Sequence, residues 1–579
     1  MILGEMQKDR YTNSYIPKKN GSSPRLPNMA TYTRVSCVLF VAVFLRVFSA
    51  HAQQLQYLNA NSITAGFATG GTIFNGADTA TYTNSLSSLL TVGSGYHIPT
   101  MLSGGLWIGA LDPGGNGKFA ASTVYRNTDW ATGPCSDTYD ATYDSLYNRV
   151  FKVTKSDIAY HIAHYQDNGY QMPASISSWP GTGRTLLHEQ EYLAPYVDVN
   201  HNGTYDPEHG DYPNICGDEA IFFMLNDARN LHSESEGESL KVQLNILAFD
   251  VQNGVSAADS GAINSTVFMK INLVNCSATT YTKVLFSLFS DYHIGCFEND
   301  RAGCDTALNT FFGYNSSYPD SGCMNGNSSD NKAAQAITFL NQKLYTHAVF
   351  RAFTDTVNPQ YAVPPGDYLR NFQSGFWYDD ISEPFTVGGN GFGGQVPTHY
   401  IYPGDPLNPS DWSDMTSGTA PGQRAGIGTI NINTLLAGQT KNVDVAFTSS
   451  FLLASDTANE ITVLKKRVST AQNFYDGLTD CGNEYTGVNT LPTEEIEFTL
   501  YPNPASDVVH VEYSIPAQSQ GRIEIADVTD RIVAQQQLGS LPAGTYNSTL
   551  DITALSKGMY ICILKVGTYR FERKLVKVK

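Results

Sequence analysis

Short stretches in which apolar and polar residues alternate recur along most of the chain, separated by turns rich in Gly, Asn, Asp and Pro. Successive side chains of a strand point to opposite faces, so Leu240 to Val251 (LKVQLNILAFDV), Thr266 to Val274 (TVFMKINLV) and Lys283 to Asp291 (KVLFSLFSD) read as three strands. GIGTINI followed by LLAGQTKNVDVAF reads as a hairpin-like pair, and Gly388 to Gly394 and Tyr402 to Trp412 read as loops. Helical period is convincing only from Asp456 to Gly477, where Ile461, Leu464, Val468, Ala471 and Tyr475 share one face. Ser455 or Asp456 suits the start of that helix and Gly477 its end. The pattern predicts a mainly β body of one or two β-sandwich domains with long loops, and shows no repeat of the kind a propeller requires.

After the helix, residues 479–496 lose all periodicity and read as a linker. Strand signals then resume in a compact stretch, 497–579. Val509, Val511, Tyr513 and Ile515 alternate, as do Ile523 and Ile525, and two further apolar runs start after Gly558 and at Phe571. Six or seven strands in so little sequence predict a small Ig-like β-sandwich.

Composition narrows the class. Of 579 residues only 16% are charged, 34 are Tyr and 50 are Gly, which suits a β-rich exported chain and excludes a coiled coil. The formal charge is -18, and residues 53–489 hold 42 acidic against 20 basic side chains, so an anionic nucleic-acid partner is excluded. From Lys557 onward the sign inverts, with seven Lys/Arg against the single acid Glu572. Residues 1–28 form a polar extension; 29–52 then combine Arg34, the apolar run Val35 to Leu45 and Ala50-His51-Ala52 before Gln53. That order is a secretory signal peptide with cleavage expected between Ala52 and Gln53, and the apolar run is too short for the ~20 residues that span a bilayer. No transmembrane helix is therefore expected in the mature chain. Export places the remaining cysteines where disulfides persist; Cys296 and Cys304 lie close together and can pair, with Cys323 as a competitor, and the other partners are not legible.

The tail resembles a known family. LYPNPASD with Tyr501, Pro502, Asn503 and Pro504, then GRIEIADVTDRIV, LSKGMYICILKV with Gly558 and Tyr560, and FERKLVKVK with Lys574 and Lys577, are similar to the type A C-terminal sorting domain of type IX secretion cargo in Gram-negative bacteria. Asp530 before Arg531 departs from the family's usual Gly-Lys. The resemblance implies recognition by an outer-membrane translocon and cleavage near the linker by a sortase-like peptidase. The cargo is then released outside the cell or attached to surface polysaccharide. The body, from LWIGALD to YPGDP near Trp412, resembles uncharacterised cargo proteins of the same group, which implies extracellular life and no particular reaction.

Two acidic clusters are candidate metal sites. In DVNHNGTYDPEHGD, Asp198, Asn200, Asn202, Gly203, Thr204 and Asp206 occupy positions 1, 3, 5, 6, 7 and 9 of a calcium loop. Hard cations want six to eight oxygens, and that alternation puts them on one concave side. His209 stands where a bidentate Glu belongs, leaving Glu208 or Asp211 to close the shell. The plain alternative is an Asn/Gly turn held by side-chain to backbone bonds. Asp291, Glu298, Asp300 and Asp305 form a second cluster, read either as another calcium site or as a polar loop pinned by Cys296 and Cys304.

Enzyme signatures are sparse. His161 and His164 lack a carboxylate pattern and read as stacking or polar residues, and no HExxH, GxSxG or phosphate loop occurs. Trp377-Tyr378-Asp379-Asp380 with Glu383, or Glu189 with Glu191, offers paired carboxylates of the kind glycosidases use, at a frequency so acidic a chain produces by coincidence. Two functions follow as expectations. One is a calcium-stabilised, non-catalytic surface or matrix protein that binds polysaccharide or other surface proteins; the other is an extracellular hydrolase acting on polysaccharide.

Overall fold

The computed structural model describes residues 55–74, 90–92, 98–122, 129–232, 235–318, 331–351, 366–377, 380–478, 498–515, 519–527, 532–542, 544–566 and 569–578. The polar extension, the signal with its Ala52–Gln53 cleavage point, and the linker all lie outside them.

The body is built on two antiparallel sheets of nine strands each. In the first, the long strands Ile98–Leu111, Tyr281–Tyr292 and Arg424–Leu435 lie side by side, with Leu344–Arg351 at one edge and the short Gln56–Leu58 and Ile63–Phe67 toward the other. The second runs Asp300–Asp305, Thr310–Asn315, Lys332–Phe339, Thr440–Leu452, Thr266–Asn275, Val242–Asp250, Glu219–Asn226, Ala131–Thr132, with Phe151–Thr154 also pairing Glu219–Asn226. One apolar core joins them, contributed by Leu106, Ile108, Phe286, Leu288 and Ile427 from the first sheet and Phe223, Ile246, Met269, Val445 and Phe447 from the second.

Alternation in the second sheet serves two cores. Ile221, Phe223 and Leu225 face the shared core, while Ala220, Phe222 and Met224 face a second one capped by Tyr143, Tyr147, Ile158 and Trp179. The same split divides Val267 and Met269 from Phe268. Both faces of this sheet are covered, so Glu219–Asn226 reads as a continuous apolar run and not as a half-polar one.

The predicted helix is present as Glu460–Asp476, four residues shorter at its start. Its cap is Asn459, whose side chain accepts from the N–H groups of Ile461 and Thr462, and neither Ser455 nor Asp456. Ile461, Leu464 and Val468 are buried against Phe312, Tyr314, Ala334 and Ala336, while Ala471 joins the second core.

The predicted hairpin does not form. Arg424–Leu435 belongs to the first sheet and Thr440–Leu452 to the second, so the short connection crosses between layers. The cause is local. The Asn275 side-chain amide donates to the carbonyls of Leu435 and Leu436 (3.3 and 2.9 Å), Gly438 N–H donates to Asn275 O, and Asn275 N–H donates to Gln439 O. These bonds fasten the turn to the end of Thr266–Asn275, which then takes Thr440–Leu452 as its neighbour.

The tail is a seven-stranded sandwich. Phe498–Tyr501, Val508–Ile515 and Gly544–Asp551 form one sheet; Ile532–Leu541, Ser519–Ala526, Gly558–Val566 and Tyr569–Lys577 form the other. Phe498, Val509, Val511, Tyr513, Ile523, Ile525, Cys562, Leu564 and Leu575 make its own core. Between tail and body the described contacts are polar: Lys565 Nζ lies 2.7 Å from Glu191, and Arg522 donates to the carbonyls of His201 (3.0 Å) and Asn202 (3.4 Å).

Among the described residues no helix is long and apolar enough to cross a membrane, a statement that leaves β-barrels aside.

Candidate functional site

The motif residues of the tail hold its last strand in place. Tyr501 ends the first strand of the sandwich, and the turn that follows carries Asn503. Asn503 Nδ2 donates to the carbonyl of Lys574 (2.5 Å), and its Oδ1 accepts from Val576 N–H (2.9 Å). Ala505 N–H donates to Val576 O (2.8 Å) and Val578 N–H to Ala505 O (3.0 Å), continuing the pairing one turn beyond the motif. Lys577 reaches the carbonyl of Ser506, Asn547 donates to the Tyr501 hydroxyl (2.5 Å), and the Tyr560 hydroxyl donates to Ser556 O (2.8 Å). Gly558 opens the penultimate strand, which pairs with Tyr569–Lys577 along its whole length. Asp530 and Arg531 lie outside the described residues.

The 198–211 loop closes a minimal hairpin, Tyr196–Val197 against Tyr212–Pro213. Gly203 (φ +78°) and His201 (φ +58°) both adopt left-handed backbone, which Gly tolerates and which sharpens the turn. The predicted ligands converge. Asn200 and Asn202 each donate an amide to the Asp206 carboxylate (3.0 and 2.8 Å), and His209 Nδ1 lies 3.0 Å from the same carboxylate. Asp198 accepts from Asn202 and Gly203 N–H (3.2 and 2.7 Å), and Asn202 Oδ1 accepts from Thr204 N–H (2.7 Å). Asp211 is buried and accepts from Val199 and Asp206 N–H (2.8 and 3.0 Å); burial raises its pKa, against the pull of those two N–H groups. The arrangement is a turn whose amides satisfy the Asp206 carboxylate, and among the described residues no group of three or more His, Cys, Asp or Glu stands where it could hold a metal ion.

The second cluster is dispersed. Asp291 is buried in the first sheet, where Gln423 Nε2 donates to both its oxygens (3.1 and 3.4 Å). Asp300 accepts from Ile294 N–H, Asp305 pairs with Lys465 (3.0 Å), and Glu298 sits in a single 3-10 turn. The disulfide expected between Cys296 and Cys304 does not form. Cys296 is disulfide-bonded, but Cys304 is a free thiol buried in the shared core, its Sγ 3.9 Å from Ile401 O. Strand geometry explains this: Cys304 lies within Asp300–Asp305 and points into the sandwich, away from the preceding turn.

Burial raises the Asp291 pKa to about 7. A carboxyl whose folded pKa lies above its unfolded value is penalised as pH rises, with no penalty below about pH 4 and the full one above about pH 7. Asp291→Asn is therefore expected to raise stability by on the order of 4 kcal/mol at pH 8 and by almost nothing at pH 4. Denaturant unfolding at both pH values checks this, and equal effects at the two would refute it.

The remaining carboxylate candidates are tied up individually. Glu189 is buried, pairs with Arg184 (2.5 Å), and accepts from the Tyr147 hydroxyl (2.6 Å) and Ser136 (3.0 Å), while Glu191 pairs with Lys565. Trp377 packs among Phe372, Phe385 and Phe392, and its Nε1 donates to Gly391 O (3.2 Å). Its neighbours Tyr378 and Asp379 lie outside the described residues. His161 is buried with its Nδ1 2.8 Å from the Tyr170 hydroxyl, and burial lowers its pKa.

Sequence reasoning missed the buried carboxylates that hold backbone. Asp227 accepts from Leu240 and Val242 N–H (2.7 and 2.6 Å), and Asp250 from Ala60 and Asn61 N–H (2.8 and 3.2 Å). Burial raises the pKa of both, Asp250 to about 7. It also missed Asp414, gripped by Arg301 (3.0 Å) and Arg424 (2.8 Å). No motif marks any of these, because each partner comes from a different strand or loop, from ten residues away for Arg424 to 190 for Ala60.

Residues 499–579 match the family described as a secretion system C-terminal sorting domain. The tail is thus an export address, and the chain is a cargo of type IX secretion, delivered to the cell surface or the extracellular space and engaged on the way by that secretion machinery. No curated protein matches the chain. Among solved structures it is similar to a polysaccharide lyase (6% identity, TM-score 0.16), covering 58% of this chain and 34% of that one. It is also similar to a dimeric latent PorU from Porphyromonas gingivalis (12% identity, TM-score 0.13), covering 66% of this chain and 28% of that one. The chain thus spans about a third or less of the length of either.

Proposed function

We propose that the exported body is a calcium-stabilised, non-catalytic binding or structural protein whose partners are surface polysaccharide or other surface proteins. The observation that carries this reading is the use made of acid groups. Asp227, Asp250, Asp291 and Asp414, all buried, each hold backbone N–H groups, a side-chain amide or arginines. Such groups act as internal fasteners of the scaffold, set in the core and not at a surface that a substrate could reach. Glu189 and Glu191, the carboxylates nearest to a glycosidase arrangement in sequence, are held by separate cations.

Calcium would be held by the 198–211 loop. Asp198, Asn200, Asn202, Asp206 and the Thr204 carbonyl supply oxygens there, and Asp211 braces the loop through Val199 and Asp206 N–H. The Asn200 and Asn202 amides would turn their Oδ1 atoms inward, exchanging bonds to Asp206 for bonds to the ion. Two amides in place of carboxylates lower the charge of the set, so the affinity is modest. With free calcium about 100-fold above the dissociation constant, the body should gain about 2.7 kcal/mol. Melting with calcium and with chelator, in wild type and in Asp198→Asn, tests this: the shift should be present in the first and lost in the second. Indifference of the wild type to chelator would sink the calcium reading. Turnover of a polysaccharide panel by the purified protein would instead favour a hydrolase.

A further inference from the structure

Two thiols from distant segments meet at the start of one strand. Cys135 follows the strand Ala131–Thr132, and its N–H donates to Gln243 Oε1 (2.7 Å). Cys276 follows Thr266–Asn275; its N–H donates to Lys241 O (2.9 Å), and its thiol lies 3.9 Å from the same Gln243 Oε1. Gln243 is itself fixed, donating to Gln190 Oε1 (2.8 Å) and Asn245 Oδ1 (2.7 Å) and facing Val274 in register. One amide oxygen thus accepts from the Cys135 N–H and stands within reach of the Cys276 thiol, which brings the two residues to the same point.

The geometry points to a further structural disulfide, Cys135–Cys276, formed in the exported protein. Cys216 and Cys296 are already disulfide-bonded, so the fold accommodates bridges. Cys304 and Cys562, by contrast, are free thiols buried within apolar cores. Exposure sets the order of events. Cys276 is exposed and Cys135 buried, so the Cys276 thiolate attacks the disulfide of a thiol–disulfide oxidoreductase and displaces one of its sulfurs as thiolate. Cys135 then attacks the Cys276 sulfur of the mixed disulfide and displaces the second. Two electrons and two protons pass to the oxidant, which leaves as a dithiol. The thiol contact and burial both raise the Cys135 pKa, which makes the second step the slower. Closing the S–S distance to ~2.05 Å needs side-chain rotation only if the backbones already stand within disulfide range. The bridge would tie the segment beside Tyr143 to the edge of the central strands and would close a loop of about 140 residues, the class in which a cross-link restricts the unfolded chain most.

The test uses the secreted protein. It is alkylated in denaturant without reductant, digested and mapped by mass spectrometry. Peptides carrying Cys135 and Cys276 should be found cross-linked, with Cys304 alkylated. Quantitative alkylation of Cys135 and Cys276 would overturn the assignment, as would either one cross-linked to a different cysteine. Cys276→Ser should also lower the non-reducing melting midpoint by about 5 °C, and the difference should vanish in reductant. A variant that fails to fold leaves the wild-type map decisive.

Discussion

Removal of residues 499–579 is expected to abolish delivery of the body beyond the outer membrane, an all-or-none loss in the extracellular and surface fractions. The tail can be removed without unravelling what precedes it, because its core from Phe498 to Leu575 is its own and shares no cluster with the body. Among the described residues, what crosses between them includes the ion pair of Lys565 with Glu191 and the bonds from Arg522 to the carbonyls of His201 and Asn202. Interactions of that kind are worth about 1 kcal/mol or less each. The truncated body should therefore melt within a few degrees of its transition in the full chain, which separates failed export from failed folding. A finer variant addresses the motif itself. Asn503→Ala loses both bonds to the last strand, at about 2 kcal/mol in the tail alone. If the truncated body still reached the medium at wild-type levels, the address would have to lie elsewhere.

Local order was legible wherever a side-chain pattern is created by the element that carries it. The strands Val242–Asp250, Thr266–Asn275 and Tyr281–Tyr292 fall within a residue or two of their apolar alternation, and the helix ends where Gly477 stands. The tail was legible twice over, from period and from its motif blocks. Partnership was not legible. Alternation tells which residues of Arg424–Leu435 and Thr440–Leu452 face inward, but not that Asn275 turns the chain between layers. Strands buried on both faces, such as Glu219–Asn226, carry no period at all and look like isolated apolar words. The hydrogen-bonded turn of residues 198–211 was legible because its Asn, Asp and Gly positions lie within fourteen residues. The dispersal of Asp291, Glu298, Asp300 and Asp305 was not, since closeness in sequence there spans a strand end, a turn and the next strand. Cysteine pairing failed for the same reason: the neighbour of Cys135 is decided by strand order.

The largest stability loss from one substitution is expected at Asp414, again invisible in sequence because its partners lie on other segments. The carboxylate is fully buried, and its Oδ1 and Oδ2 accept from Arg301 Nη1 (3.0 Å), Arg424 Nε (2.8 Å), Arg424 Nη2 (3.2 Å) and Ala302 N–H (3.0 Å). The two guanidiniums are nearly as buried, and their other N–H groups donate to the carbonyls of Asp414, Thr419, Ala420 and Gly422. The cluster therefore pins the loop after Tyr402 across the Asp300–Asp305 and Arg424–Leu435 strands. Asp414→Ala leaves two cations in low dielectric without a counter-charge, a situation that costs about 3–5 kcal/mol. Asp414→Asn keeps the shape and part of the hydrogen bonding, so it should fall between Ala and wild type. Replacing all three groups by apolar residues of similar volume should cost far less than Asp414→Ala, because no buried charge is then orphaned. Denaturant unfolding of the four proteins, followed through the transition of the body while that of the tail stays fixed, gives the ordering. A single Asp414→Ala variant as stable as wild type would mean that the arginines find other counter-charges or water, and that this triad does not hold the loop.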